Sequence, residues 1–554
     1  MPAIAGINGG NFCSRKLILL IAIFEIIAIL VLSAFFFHIR FEDSYITYRY
    51  AAHFSQGHGL GAWNLDGDKV EGFTSPGMVL ILAAADKIGL NIEVAAKLIG
   101  LSSHIMLCLF LLSLACFDFS SIAKYIPSEA LILSSIIIAL YFPIAFYANS
   151  GMETIPFALL FALCIFSSFA FAENPFFAII NFAAVLLRPE AIFFSSLLFL
   201  WQLGLNHENE AKARRLRYNF GFFILMTAGI FITRYFVFGE IFPNTYYAKL
   251  YGLPWNHFIW GLKDLGRWFL VNPLWLISMA LLLSRLIYSY LKKQKSLNLS
   301  ILLIPLIQIA LLCYIAVIGG DNPSAFPFWR HHINFIAVEA LIVGYAIHII
   351  FPRRLLLQLV FTLALLIFAN FRIIQIENSR MVSDFKKGIG VWPNFKIDPP
   401  NSYYTWIKKI SLPQTVIASA ASGELPYVVD AIHIDILGLN DKYIAHNGTF
   451  DPQGPVDSKT NMAYVLKRRP DIISMLSARL IAGGMDKNRL AAYRGQMIHG
   501  LLDDPVFQNE YMFLQNGPYE FLDRALFLHK SYWLNHPRRD SLKCIPLNET
   551  GIYK

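Results

Sequence analysis

Apolar runs recur along this chain at residues 17–37, 94–116, 128–148, 154–172, 176–203, 218–238, 272–291, 298–318, 332–350 and 355–374. A hydrocarbon core about 30 Å thick takes about 20 residues of helix, and within it every backbone polar group must be satisfied by the segment itself. Runs of that length therefore dictate a polytopic α-helical membrane protein. Of 554 residues 56% are hydrophobic and 15% charged. Soluble domains carry about 25% charged residues, so a cytosolic globular enzyme, a disordered chain and a disulfide-stapled module are excluded. The run 176–203 holds Arg188, Pro189 and Glu190 near its middle. Charges are costly at mid-bilayer, so this run is expected to be two short helices that turn at a membrane face. About eleven transmembrane helices are then expected.

The positions of the basic residues orient these crossings. Clusters lie at Arg15/Lys16, at Lys124, from Lys212 to Arg217, from Lys292 to Lys295 and at Arg353/Arg354. If 76–90 is a surface or re-entrant helix, the positive-inside rule places all five clusters in the cytoplasm. The N-terminus is then cytoplasmic and the chain beyond 374 lies outside. The run after Arg15 and Lys16 is too long for a signal-peptide core and reads as a first span. Forty-six Lys and Arg against 37 Asp and Glu give a net charge of +9, which topology signals explain without nucleic acid as a partner. The six cysteines lie mostly in or beside apolar runs and form no disulfide framework or paired metal-ligand motif.

Two regions follow: residues 1–374 as a membrane domain with a first outer loop at 38–93, and residues 375–554 as an extracytoplasmic α/β domain. In the second region Gln414–Ala420 and Ile432–Leu437 read as strands, Gly423 as a turn, and 461–468 and 488–502 as helices. The group Asp435, Gly438, Asn440 and Asp441 reads either as a sugar-binding loop or as a turn after a strand.

The outer face holds the unusual residues. Glu42 and Asp43 directly follow the first span, where shielding by protein and headgroups can tune a carboxylate toward base chemistry; a solvated helix-flanking pair is the plainer alternative. Tyr45 and Arg49 suit stacking on a sugar or meeting a phosphate, or equally an interfacial belt. On the same side fall Glu71, the segment NSGMET with Glu153, LLRPE with Arg188 and Glu190, FGEIFPNTYYAKL with Asn244, Tyr247 and Lys249, and GGDNPSAFPFWRHH with Asp321, Arg330 and His331. Taken singly, Glu153 could cap a helix, Arg188 and Glu190 could pair with each other, and His331/His332 could be interfacial. Their shared sidedness points to one polar cavity between helices.

In order, EDSYITYRYA, G-HGL, VEGFTSP, SGMET, LLRPE, FGEIFPNTYYAK and GGD resemble the polytopic GT-C-type glycosyltransferases related to the mycobacterial cell-envelope arabinofuranosyltransferases and their Gram-negative relatives. ASGELPYVVDAIHIDILGLNDKYIA, residues 421–445, resembles a segment of the extracytoplasmic domain in that wider family. The resemblance implies a bacterial inner-membrane enzyme that moves a sugar, arabinofuranose or a similar pentose, from a polyprenyl-phosphate donor. The implied acceptor is a cell-envelope glycan, lipopolysaccharide or protein on the outer side. By position, it implies Asp43 as the key catalytic carboxylate. Relatives carry two aspartates there, and this chain has Glu42 first.

Physical reasoning adds Arg188, Lys249 and Arg330 as neutralisers of a phosphate leaving group at headgroup level. Tyr45, Arg49, Glu71, Glu153, Glu190, Asn244, Tyr247, Asp321 and His331 are the expected substrate contacts. No cofactor is expected, and dependence on a divalent cation is left open. A transporter or flippase of polyprenyl-linked sugars is the competing reading. It would be expected to show repeats and midplane polar groups, whereas the polar groups here gather at one face and no repeat is found.

Overall fold

The computed structural model describes residues 15–65, 67–116, 126–249, 254–291, 302–320, 328–386, 402–449, 459–475, 501, 504–516 and 525–549. Lys124, Lys292 to Lys295, Asp321 and most of the expected 488–502 helix lie outside the described residues. Among the described residues five helices are singly long and apolar enough to cross a membrane: Arg15–Phe36, Ile92–Cys116, Thr154–Phe171, Glu210–Phe238 and Leu355–Gln375. Two bent pairs raise the number to seven, namely Ser128–Leu140 with Phe142–Asn149 and His257–Val271 with Pro273–Tyr288. The chain is a multi-pass membrane protein.

Against about eleven expected crossings, these seven are what length and apolarity secure among the described residues. Pro175–Leu187, Ala191–Leu205, Leu303–Ile318 and Ile336–Ile350 are apolar helices of 13 to 16 residues. At 1.5 Å per residue each is shorter than the hydrocarbon core of about 30 Å. The expected turn at 188–190 is present, with one short helix ending at Leu187 and the next beginning at Ala191. Pro76–Lys87 has 12 residues, too few for a span, and buries Met78, Val79 and Leu82. The helix Pro254–Val271 was not expected, because its sequence is amphipathic rather than apolar.

The bends have local causes. Pro143 lacks the N–H a continuing helix would use, and Tyr141 is extended, so the helix breaks there by 59°. In a bilayer the groups freed by a break need partners. Asn370 supplies both, donating from Nδ2 to Leu140 O at 2.9 Å and accepting from Phe142 N at 2.9 Å.

Beyond the bundle, six short strands form one sheet: β1 Val416–Ser419, β2 Ile432–Asp435, β3 Ile472–Met475, β4 Tyr511–Leu514, β5 Ala525–His529 and β6 Cys544–Pro546. Their order is β2-β1-β3-β5-β4-β6. β2, β1 and β3 are parallel, and β5, β4 and β6 continue antiparallel. Ile417 points into a layer with Leu425, Leu526 and Leu528, while Ala418 points into another with Val465, Phe507 and Phe527. Both faces are covered, which is why β1 reads as a nearly continuous apolar run. β1 and β2 fall within the expected strands, and the 461–468 pattern becomes Met462–Lys467, capped by Asn461.

Candidate active site

The helix Glu42–Ser55 starts immediately beyond the first span and places Glu42 and Asp43 in its first turn, where the helix dipole favours carboxylates. Glu153 and Glu190 occupy the N-cap positions of Thr154–Phe171 and Ala191–Leu205, and Arg188 the C-cap of Pro175–Leu187. Acids thus sit at helix starts and the cation at a helix end, the arrangement the peptide dipoles prefer. Gly151, in the turn that delivers Glu153, has φ +78°, and the Tyr48 hydroxyl occupies the space a Cβ would need. Lys249 ends the helix Asn244–Lys249. Arg330 begins Arg330–Asn334 directly after Phe328 and Trp329, at φ +61° and +51°. Two bulky left-handed residues in succession are strained backbone of the kind that surrounding structure must enforce.

These termini converge. Buried Arg188 donates from Nη1 to Glu153 Oε1 at 2.7 Å and from Nε to Glu190 Oε1 at 2.8 Å. His331, also buried, lies within electrostatic reach of Glu190. Asp43 is half-buried beside Lys249, Arg330 and Glu153. Loss of hydration raises its pKa above the ordinary aspartate range; Lys249 and Arg330 pull it down, and Glu153 pushes it up. The result is a carboxylate within electrostatic reach of two cations and an acid. A proton acceptor there sits beside positive charge able to meet an anionic leaving group. Among the described residues no group of three or more His, Cys, Asp and Glu side chains is arranged to hold a metal ion.

Asp43, Glu153, Arg188, Glu190, Lys249, Arg330 and His331 are therefore brought together. Arg188, expected at the phosphate, has two of its donors committed to carboxylates, which leaves Lys249 and Arg330 as the cations beside Asp43. The other described candidates have partners within the protein. Glu42 accepts from Gly423 N at 3.0 Å. Tyr45 is buried against the rings of Tyr48 and Tyr427. Arg49, with burial pulling it down to about 10, donates to Trp63 O at 2.8 Å and to the carbonyls of Pro426 and Ala431. Glu71 forms a buried pair with Arg234 at 2.8 Å. Asn244 donates to Gly438 O and Leu439 O at 2.8 and 2.9 Å, and Tyr247 packs on His446 with ring centroids 4.5 Å apart. Asp321 lies outside the described residues.

These contacts form a seam between the bundle and the sheet. Tyr50 OH donates to Asn440 Oδ1 at 3.0 Å, Asn64 makes two bonds with the His433 backbone at 2.9 Å, and Lys442 reaches Phe238 O at 3.0 Å. The Asp435 loop, read from sequence as sugar site or turn, is a closed turn. Its carboxylate accepts from Ser422, Leu437 N, Asn440 N and Asn440 Nδ2. Missed at the sequence level were Arg40 and Glu424, paired across the seam at 2.5 Å, and the buried pair of His332 with Glu339 at 2.7 Å. The conjunction of Arg40 with ASGELP was the available signal for the first. Glu339, an acid inside an apolar run, was the signal for the second.

The fold is shared with ArnT from Cupriavidus metallidurans in the apo state, at a TM-score of 0.52 and 11% identity over 92% of this chain and 97% of that one. The chain thus has the fold of that ArnT structure, as the resemblance of the motifs led one to expect for the membrane region. The Archaeoglobus fulgidus oligosaccharyltransferase in the apo form aligns at a TM-score of 0.46, with 11% identity over 90% of this chain and 73% of that one. AglB from the same organism, in complex with an inhibitory peptide and a dolichol-phosphate, also aligns at 0.46, with 10% identity over 93% and 77%. A family model described as a domain of unknown function, DUF8728, matches residues 401–521. No curated protein matches the sequence significantly.

Proposed function

We propose that this chain is a membrane glycosyltransferase. It transfers a sugar, arabinofuranose or a similar pentose, from a polyprenyl-phosphate donor to a cell-envelope glycan, lipopolysaccharide or protein on the outer side of the bacterial cytoplasmic membrane. The observation that carries this reading is Asp43 within electrostatic reach of Lys249 and Arg330, just beyond the first apolar helix of the bundle. A polyprenyl phosphate keeps its tail in lipid and its phosphate at headgroup level. Lys249 and Arg330 meet that phosphate, and Asp43 takes the proton of the acceptor hydroxyl. As the acceptor oxygen bonds to the anomeric carbon, the bond from that carbon to the phosphate oxygen breaks, and polyprenyl phosphate leaves with the electron pair. Glu153 and Glu190 fix Arg188 beside the site, and the Glu153 charge raises the basicity of Asp43.

In this reading the sheet region is extracytoplasmic and the loop at Arg353/Arg354 cytoplasmic. Single cysteines at exposed Asn447 and Arg353 should label from opposite sides of sealed vesicles. The decisive experiment is transfer of radiolabelled sugar from a synthetic polyprenyl phosphate by purified wild type and Asp43→Asn. Transfer by the wild type that collapses in the variant supports the reading, and a folded variant with near-normal transfer removes Asp43 from it.

A further inference from the structure

In an open sheet with parallel strands, the loops at the carboxyl ends of the strands are the usual place for a ligand. Here the loop after β1 holds part of the same polypeptide. Gly423 N donates to Glu42 Oε1, and a Cβ on Gly423 would collide with the Glu42 carbonyl oxygen. Glu424, buried, receives Arg40 Nη1 at 2.5 Å. Pro426 O accepts from Arg49, midway along the same helix. Tyr427 packs its ring edge-on to Tyr45 and Tyr48, with centroids 5.5 and 5.9 Å away. Tyr48 in turn fills the space at Gly151, in the segment that ends in Glu153.

Asp43 therefore follows two residues, Glu42 one position before it and Arg40 three before it, that are both gripped from the sheet side. The helix needs such a grip, because its N-cap is Phe41, which has no side-chain oxygen to hold the first amides. We infer that the Gly423–Tyr427 turn is a latch on the N-terminus of the helix presenting Asp43, and that Arg40, Glu42 and Glu424 are positioning residues for that carboxylate. The inference rests on the proposed role of Asp43 and gives the sheet region a part in transfer that does not involve touching the sugar. Glu424 is faced by Arg40 from the linker, Glu42 and Tyr45 from the Glu42–Ser55 helix, and Glu93, paired with Lys97, from Ile92–Cys116. Reversal of its charge thus acts mainly through Arg40 and Glu42.

The test uses the full chain in detergent at pH 8, with Arg40→Glu, Glu424→Arg and the double exchange. In an α-helix the amides of Ile46 and Thr47 bond to the carbonyls of Glu42 and Asp43, so their hydrogen exchange reports the first turn. Each single variant should speed that exchange and lower kcat about tenfold while leaving KM for the polyprenyl-phosphate donor unchanged; the double exchange should restore both. Unchanged exchange in the singles, or a double variant as impaired as the two losses combined, overturns the latch. If a reversed single loses protection in β1 and is therefore unfolded, Glu424→Gln keeps the shape and is read by the same two criteria. A protein with the expected exchange pattern and no transfer under any condition refutes the glycosyltransferase reading and keeps the latch. Normal turnover in Arg40→Glu alongside an inactive Asp43→Asn does the reverse.

Discussion

Asp43 and Arg49 stand on one short helix, two turns apart, yet their surroundings differ in kind. Around Asp43 the neighbours are charged side chains of both signs, contributed by loops far apart in sequence. Around Arg49 they are backbone carbonyls, one in the first outer segment and two in the sheet region. A charge whose donors all end on carbonyls fixes two pieces of chain to each other. A carboxylate poised between cations has a pKa that can move and a place for an anion beside it. Both residues are polar, outward and close together in the sequence, so burial alone does not separate machinery from scaffold; the chemical type of the partner does.

The comparison can be broken most directly at Asp43. Asp43→Asn keeps the shape and removes the charge, so transfer should fall by about two to four orders of magnitude, with the melting temperature little changed. A large drop in melting temperature would move Asp43 to the scaffold side. Arg49→Met should do the opposite. It leaves carbonyls of the seam without a donor and removes the cation over the Trp63 ring at 5.1 Å. Thermal or denaturant unfolding should show about 2–3 kcal/mol of lost stability, with the remaining folded fraction keeping its donor affinity. Lys249→Ala and Arg330→Ala should each weaken binding of a polyprenyl phosphate about tenfold, since the phosphate charge is present in ground and transition states alike. Equal binding of a neutral polyprenol by wild type and variants would confirm that charge is what they read.

The smallest effect concerns pH at the seam. Burial raises Glu424 from 4.5 to about 7, with the Glu42 charge adding to the rise and Arg40 opposing it. Its contribution is complete below the unfolded value near 4.5 and is lost as pH rises through about 7. Wild type should therefore be about 1 kcal/mol less stable at pH 8 than at pH 6, and Glu424→Gln should flatten that difference. A wild-type profile flat across this range would show that Arg40 compensates Glu424 fully.

Because all candidate chemistry precedes residue 340, the sequence alone leads to the expectation that truncation after residue 380 spares donor binding and lowers transfer to the acceptor. The seam argues otherwise, because Glu42, Arg49, Tyr50, Asn64 and Asn244 all rest on it. Truncation should loosen the Asp43 helix together with the acceptor side.

What the sequence settled by itself follows from local physics. Recurrent long apolar runs dictate a multi-pass helical bundle, the charged Arg-Pro-Glu inside one of them breaks it into two helices, and NSGMET and LLRPE place acids and a cation at helix ends. The positive-inside rule then gave the expectation that Asp43, Lys249 and Arg330 share a side. β3 to β6, three to five residues each, carry too few alternations to stand out, and Pro254–Val271 is amphipathic and does not read as an apolar run by itself. Tertiary structure alone decided which outward polar groups face one another. A hydrogen-bonding side chain in the first loop satisfies its chemistry equally well with a substrate or with a carbonyl nearly 400 positions away, and only the approach of the sheet to the Glu42–Ser55 helix selects between them.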